Sequence, residues 1–158
     1  MIKKICFMVV AVLILVMATC FAAVTPADFT VRGISLGSSS YDDIVANLGE
    51  PKKKFEDEQG QLSLTHLSYP GLKIAVVSEG GPVVYMLIDN GDYKTQRGVK
   101  VGATPSKLTK EYGQPQKSMI NGHVYYIYDT EPVSKSRLIF DMTDGYASKI
   151  IFTSMPLE

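Results

Sequence analysis

Cysteine is nearly absent from the sequence. Its two cysteines, Cys6 and Cys20, both lie near the amino terminus, beside or within an apolar segment. If that segment is removed, the remaining chain has no thiol for catalysis and no disulfide. Its own hydrophobic core must then hold it together. Hydrophobic residues make up 46% of the sequence, so such a core is feasible.

The sequence also lacks an excess of charge of either sign. Sixteen basic residues balance sixteen acidic ones, and loss of Lys3 and Lys4 would leave fourteen against sixteen. A nucleic-acid-binding domain carries a clear basic surface, so we expect no nucleic-acid partner. The tight basic run at 52–54 is followed at once by acidic residues at 56–58, which favours a solvated hairpin.

Residue patterns for catalysis or metal binding are scarce. Only two histidines occur, His66 and His123, and no acidic residue stands near either at a recognisable ligand spacing. Nucleophile-elbow, Walker and zinc-protease motifs are missing. We therefore predict a protein that is not an enzyme and that binds neither a metal nor a cofactor. The alternative, a small enzyme or ligand-binding protein, would need a deep pocket lined by one of the histidines.

The first 23 residues are typical of a secretory signal peptide. Lys3 and Lys4 precede an apolar run at 5–18, and small residues follow up to Ala23. The run is shorter than the roughly 20 residues that span a bilayer, which favours cleavage after Ala22 or Ala23 over a retained anchor. We therefore expect an exported protein of the periplasm, the cell envelope or the medium.

Cys20 offers a second route out of the cell. An apolar segment that ends in a cysteine can mark a bacterial lipoprotein, in which the acylated cysteine becomes the first residue. The preceding residues Met17, Ala18 and Thr19 match the Leu–small–small pattern of such sites poorly. Lipidation at Cys20 is thus an alternative to cleavage. The signal peptide or this lipid would be the only link to a membrane.

An internal repeat organises the rest of the chain. The segment Arg32–Gly37 recurs 65 positions later at 97–102, and Leu48–Pro51 recurs 64 positions later at 112–115. Alternating apolar residues at 72, 74 and 76 also recur, at 138, 140 and 142. This ordered series predicts a duplication, with repeat 1 at 30–90, a linker at 91–96 and repeat 2 at 97–153.

Each repeat is predicted to begin with a short helix that docks on antiparallel strands. Ser40 and Thr104 are good amino-terminal caps, and Gly49 and Gly113, each followed by a proline two residues on, end the helices. Strands are expected at 53–58, 62–69, 72–77 and 83–90, and again at 116–120, 123–128, 136–142 and 147–153. The predicted fold class is α+β: two tandem repeats, each a short helix packed on a mostly antiparallel four-stranded sheet.

These motifs resemble the SmpA/OmlA (BamE-like) and β-lactamase-inhibitor-protein (BLIP)-like superfamily. Ile34-x-Leu36-Gly37-x-Ser39, Asp43-Ile44 and Leu48-Gly49-x-Pro51 are similar to the opening of those domains. Two tandem copies resemble the inhibitor proteins most, since the lipoproteins usually carry one. The resemblance covers nearly all of 30–153 and implies the fold described above. It also implies two alternative functions, inhibition of a secreted enzyme such as a β-lactamase, or a lipid-anchored role in envelope assembly.

The chain departs from the inhibitor proteins in two ways. Those proteins contain disulfides, whereas this chain has no cysteine after Cys20. They also place an acidic residue on an extended hairpin of the first repeat, which enters the active site of the enzyme. The corresponding connection here is predicted to be the tight turn at 69–72, which has no acidic residue. Enzyme inhibition therefore stays an alternative.

The prediction of a binding function depends on the second face of the sheet. If Met86 faces the helices, alternation points Val83, Tyr85 and Leu87 the other way, and Ile151 as well. The sequence has nine tyrosines and no tryptophan, and tyrosine is enriched where a wet surface must also bury apolar area. We therefore predict an unidentified protein partner on this face. The alternatives are packing between the repeats and a homodimer. The candidate contact residues are Tyr69, Tyr85, Leu87, Tyr125, Tyr126 and Tyr128.

Overall fold

Ten strands and two helices make up the described part of the chain. The computed structural model describes residues 23–130 and 136–155, and the predicted signal peptide and Cys20 lie outside them. After a 3-10 turn at Pro26–Phe29, the elements are β1 (Thr30–Val31), β2 (Ile34–Ser35), α1 (Tyr41–Leu48), β3 (Lys53–Gln59), β4 (Leu62–Tyr69), β5 (Leu72–Val77), β6 (Val83–Ile88), α2 (Pro105–Tyr112), β7 (Gln116–Ile120), β8 (His123–Asp129), β9 (Arg137–Asp141) and β10 (Lys149–Thr153).

Eight of the strands form one antiparallel sheet in the order β3-β4-β5-β6-β10-β9-β8-β7. Each half of the chain contributes a four-stranded meander, and the halves join where β6 pairs with β10. At this junction Ile88 lies opposite Ile150 and Met86 lies opposite Phe152. The predicted α+β class is confirmed, with one correction. The two expected four-stranded sheets are a single eight-stranded sheet.

The helices begin and end where the sequence predicts. The Ser40 hydroxyl accepts from the Asp43 N–H, while the Asp43 carboxylate accepts from the Ser40 N–H at 2.8 Å, which completes a capping box. The Thr104 hydroxyl caps α2 by accepting from the Lys107 N–H at 3.4 Å, without a reciprocal contact. Gly49 and Gly113, with φ of 77° and 82°, end the two helices in the left-handed region. No helix within residues 23–130 and 136–155 is long and apolar enough to cross a membrane.

The core lies between the helices and one face of the sheet. Ile44 of α1 and Leu108 of α2 are fully buried there, against side chains in direct register across neighbouring strands. Short helices like these are marginal alone in water, so this burial stabilises them, by about 1.5–3 kcal/mol for each large apolar side chain. The sheet contributes Leu67, Ile74, Met86, Phe152 and Leu138 in one row and Leu72, Ile88, Ile150 and Phe140 in the next.

The segment ahead of each helix is bound to the last strand of the same half in the same way. Gly37 donates its N–H to the carbonyl of Val83 at 2.7 Å, and Gly102 donates to the carbonyl of Ala147 at 2.8 Å. Val83 begins β6, and Ala147 lies just before β10. Matching contacts therefore fix each helix over its own meander.

Val83 faces the core, contrary to the prediction from alternation. Ala75 pairs with Tyr85, but the next residue of β5, Val76, pairs with Val83, so Val84 is an extra residue in β6. A β-bulge of this kind reverses the order of inward and outward side chains. Val83 is therefore fully buried under the helices, while Tyr85 keeps its place on the opposite face.

Arg97 ties the amino-terminal segment to α2. Its guanidinium donates to both carboxylate oxygens of Asp28 at 2.7 Å and to the carbonyl of Glu111, and it lies 4.7 Å from the centre of the Tyr112 ring. The Arg97 and Asp28 side chains are only 17% and 5% exposed. Burial alone would raise the pKa of Asp28. The hydrogen bonds from Arg97 and Thr25 outweigh burial and hold that pKa below its ordinary value.

We expect Arg97→Met to lower the free energy of unfolding by about 3 kcal/mol, because it leaves the Asp28 carboxylate buried without its cation. Urea unfolding of the chain from Ala23 onward at neutral pH measures the change. Lys107→Gln is the matched control, since Lys107 makes an exposed ion pair with Glu111 on the same helix. Its midpoint should stay within error of the parent. Equal midpoints for Arg97→Met and the parent would contradict the structure.

The same pair predicts a loss of stability in acid. The folded pKa of Asp28 lies below its unfolded value of about 3.9, so the stabilisation is complete above that pH and is lost as the pH falls through the folded pKa. Unfolding midpoints measured between about pH 6 and pH 2.5 should decline less steeply in Asp28→Asn than in the parent. If the unfolding midpoints of the two proteins fall equally with pH, Asp28 is not a source of the acid sensitivity.

Candidate functional site

A continuous stripe of apolar and aromatic side chains crosses the sheet on the face opposite the helices. Its first row crosses β8, β9, β10 and β6 and consists of Ile127, Ile139, Ile151 and Leu87. Its second row crosses β6, β5, β4 and β3 and consists of Tyr85, Ala75, His66 and Phe55. The rows meet in β6, where residues 85 and 87 share a face. We name these eight residues the open-face stripe.

The elements that cover the helix-side core do not lie over the open-face stripe. Both helices, the amino-terminal segment and Tyr93 of the linker pack into the core on the other face. Three stripe residues, Ala75, Ile127 and Ile139, are nevertheless buried, and so is Leu64, which shares the face of His66 in β4. Phe55 is 56% exposed, and Leu62, on the same face of the β3–β4 hairpin, is 47% exposed. The stripe is therefore buried or half-buried along most of its length and opens to solvent at this hairpin.

Two tyrosine hydroxyls on the open face have no hydrogen-bond partner among the described residues. Tyr85 lies in the stripe and Tyr125 lies beside it, and neither hydroxyl hydrogen-bonds to another described residue. Burial raises the pKa of Tyr85, with a smaller contribution from Tyr125. Burial and the charge of Asp141 raise the pKa of Tyr125. Both phenols are therefore neutral donors at physiological pH.

His66 adds another unsatisfied group to the exposed end of the stripe. Its ring stacks on Phe55 with 4.7 Å between centroids and an interplanar angle of 6°. The Nε2 atom is buried and has no hydrogen-bond partner among the described residues. Most buried polar atoms in folded proteins have one. The face therefore combines apolar area with polar atoms that a bound molecule could pair.

Two of the predicted contact residues are core residues instead. Tyr69 and Tyr128 are buried on the helix side and donate their hydroxyls to the carbonyls of Gly49 and Gly113 at 2.8 and 3.2 Å. Each hydroxyl thereby satisfies the carboxyl-terminal cap of the helix in its own half. The prediction that these tyrosines contact a partner on the open face is wrong, because alternation along their strands points both side chains toward the helices.

Tyr126 also lies on the helix side, where Lys117 Nζ stands 5.0 Å from its ring centre. Tyr85, Leu87 and Tyr125 do lie on the open face, and their role in binding stays a prediction. Sequence reasoning missed the exposed end of the face. The Gly60–Gln61 turn pairs Gln59 with Leu62 and so sets the register of Phe55 with His66, which counting from the turn could have found.

His123 lies in a polar cluster at the end of the sheet. Its Nδ1 is 3.3 Å from the Asp141 carboxylate and 3.2 Å from the Thr143 hydroxyl. Burial would raise the pKa of Asp141, but hydrogen bonds from Thr143 and His123 outweigh it and lower the pKa. Thr143 donates its hydroxyl to that carboxylate at 2.6 Å, so it is not poised as a nucleophile. The cluster instead stabilises the turn after β9.

The two main cavities of the described residues lie away from both histidines. One cavity of about 260 Å³ lies between α1 and the β5–β6 turn, and another of about 580 Å³ lies at the linker. Neither includes His66 or His123 in its lining. Within the described parts of the chain, no group of three or more His, Cys, Asp or Glu side chains is placed to hold a metal ion.

The chain is therefore an α+β protein in which two helices cover one face of an eight-stranded antiparallel sheet. No family model and no curated protein matches it. Two solved structures share its fold. A DUF4309 family protein, YjgB of Bacillus subtilis, has a TM-score of 0.50 and 19% identity, over 78% of this chain and 84% of that one. An extracellular protein with an SCP domain from Bacillus anthracis has a TM-score of 0.51 and 10% identity, over 75% of this chain and 43% of that one.

A third structure, a proposed β-lactamase inhibitor protein of Streptococcus mutans, has 17% identity over 70% of this chain and 79% of that one. Its TM-score of 0.32 is too low to support an argument. The turn at Pro70–Gly71 has only two residues, because Tyr69 lies directly opposite Leu72. An extended acidic hairpin is therefore absent at this position. The resemblances to the inhibitor proteins and to the BamE-like proteins both stay predictions.

We expect Tyr128→Phe to lower the free energy of unfolding by about 1–2 kcal/mol, because it leaves the buried carbonyl of Gly113 without its donor. Tyr85→Phe is the matched control, since its hydroxyl has no partner to lose. Denaturant unfolding of both variants measures the difference. A larger loss in Tyr85→Phe than in Tyr128→Phe would reverse the assignment of core and open tyrosines.

Proposed function

We propose that the chain is an exported, non-catalytic module that binds a protein partner through the open face of its sheet. The observation that carries the proposal is the open-face stripe, in which eight side chains span seven strands on the face opposite the helices and end at the exposed β3–β4 hairpin. A contiguous apolar surface of this kind marks an interaction site in a soluble domain. The partner covers the exposed end of the stripe, where Phe55 and Leu62 lie open to solvent.

The surroundings of the stripe also fit a protein interface. Lys73 and Arg137 continue its two rows on the same face, and each is ion-paired, with Asp89 at 3.7 Å and Asp129 at 3.4 Å. An apolar centre with a charged rim is typical of protein–protein contacts. Tyr85 and the neighbouring unpaired groups provide donors and acceptors near that centre, where contacts contribute most to affinity.

A duplication is the second part of the proposal, with repeat 1 at 30–90, a linker at 91–96 and repeat 2 at 97–153. The same order of one helix and four strands occurs twice, and the cap contacts of Tyr69 and Tyr128 match. The stripe crosses the boundary between the repeats at the β6–β10 pair. Both repeats are therefore needed to build the binding surface.

Export depends on the amino-terminal segment, which we propose to be a cleaved signal peptide. The Bacillus anthracis protein that shares the fold is described as extracellular, which is in line with this location. Lipidation at Cys20 is the alternative, and it would tether the same binding face to a membrane. A homodimer through the open face is the alternative to a different protein partner.

Photo-crosslinking from the open face tests the binding proposal. A benzophenone amino acid at Leu62 should capture a partner from the producing cells, whereas the same probe at Met119 should not. Met119 is 74% exposed but lies on the helix side of β7, so it is a matched surface control. Phe55→Asp should abolish capture at Leu62 without unfolding the chain, because Phe55 is already largely exposed, and Met119→Asp should leave capture intact. Capture that is equal at both probes, or unaffected by Phe55→Asp, would refute the open face as the site.

A further inference from the structure

We propose that a second site, which shares no residue with the open-face stripe, binds a small dianion of the phosphomonoester class. The site is the cavity of about 580 Å³ between the β1–β2 turn and the linker. Its volume is in the range of small-molecule sites. Three cationic side chains line it, Arg32, Lys94 and Lys100, against a single carboxylate, Asp92.

The three cations have no anionic partner within the described residues. No carboxylate oxygen comes within 4.0 Å of Arg32, Lys94 or Lys100. Asp92 is held instead by Asn90, whose side-chain amide donates to the carboxylate at 2.8 Å and accepts from the Asp92 N–H at 3.0 Å. The lining therefore has an excess of two positive charges, which matches a phosphomonoester carrying about −1.5 to −2 at neutral pH.

The Arg32 guanidinium is positioned without using its hydrogen-bond donors. It lies over the Tyr93 ring, with its central carbon 5.6 Å from the ring centre. A guanidinium held by an aromatic face keeps its planar fork of N–H groups for a bidentate contact with an oxyanion. Tyr93 thus orients the cation toward the cavity that both residues line.

Arg32 also has a backbone conformation that other residues adopt more easily. It has φ of 52° in the two-residue turn that joins β1 to β2, followed by Gly33 with φ of 81°. Turns of this type favour Asn or Gly at the first position. Keeping an arginine there at a cost in backbone strain points to a role for its side chain.

The second half of the chain shows what an arginine at this position can bind. Arg97 occupies the place in the repeat motif that Arg32 occupies in the first half, and it makes a bidentate contact with Asp28 at 2.7 Å. The first half supplies no such carboxylate to Arg32. An external oxyanion would take the role that Asp28 has in the second half.

The site is tested by titrating the chain from Ala23 onward with glycerol 1-phosphate, inorganic phosphate and glycerol. Binding is measured by calorimetry and by the chemical shifts of the backbone amides at the linker. We expect saturable binding of both phosphates and none of glycerol. Arg32→Asn should weaken binding at least about tenfold while the chain remains as stable as the parent or more so, because Asn suits the left-handed turn. Lys110→Gln, an exposed cation on α2, should bind like the parent.

Two results would overturn the proposal: no saturable binding up to about 10 mM phosphate, which is weaker than any useful site, or equal affinity in Arg32→Asn and the parent. Vesicles of phosphatidylcholine with and without phosphatidic acid then identify the source of the phosphate. If the protein sediments with vesicles that contain phosphatidic acid, and Arg32→Asn abolishes this, the ligand is a lipid headgroup. Glycerol 1-phosphate binding without sedimentation would assign a free phosphomonoester. Each of these outcomes supports the site.

Discussion

The pairing of β6 with β10 is the contact on which the rest of the structure depends. It makes the last strand of each meander an interior strand, and both of these strands carry apolar side chains on both faces. On one face, Met86 and Phe152 complete the core beneath the two helices. On the other, Leu87 and Ile151 join the two rows of the open-face stripe. Without this pairing the chain would have two small sheets, and the stripe would end at β6.

The two faces of the sheet differ in how their polar groups are satisfied. In the core, the buried hydroxyls of Tyr69 and Tyr128 bind helix-cap carbonyls, so packing and hydrogen bonding are both complete. On the open face, the Tyr85 hydroxyl and His66 Nε2 have no partner among the described residues. Because folding normally leaves few such groups, their concentration beside exposed apolar area is what distinguishes a binding surface from a second core.

Local sequence signals predicted the elements well, because caps, glycine stops and turns are set by neighbouring residues. All eight strands of the main sheet and both helices were found this way. The face of Val83 could not be predicted, since a bulge at Val84 depends on tertiary pairing. Composition predicts tyrosines as contacts but does not say which face of the sheet they occupy. Tyr69 could have been placed in the core from its strand position, because it lies two residues from Leu67 and so points to the same face. Arg32 and Arg97 share one motif yet have different partners, which only the fold determines.

The central claim is that one face of the sheet is core and the other is open to a partner. Hydroxyl-radical footprinting of the isolated chain from Ala23 onward, read residue by residue by mass spectrometry, tests it most directly. The account predicts rapid oxidation at Phe55 and Leu62, slower oxidation at Tyr85, and protection of Phe140 and Tyr128. Protection of Phe55 and Leu62 to the level of Phe140 would contradict the account, because it would mean that the chain already covers this face.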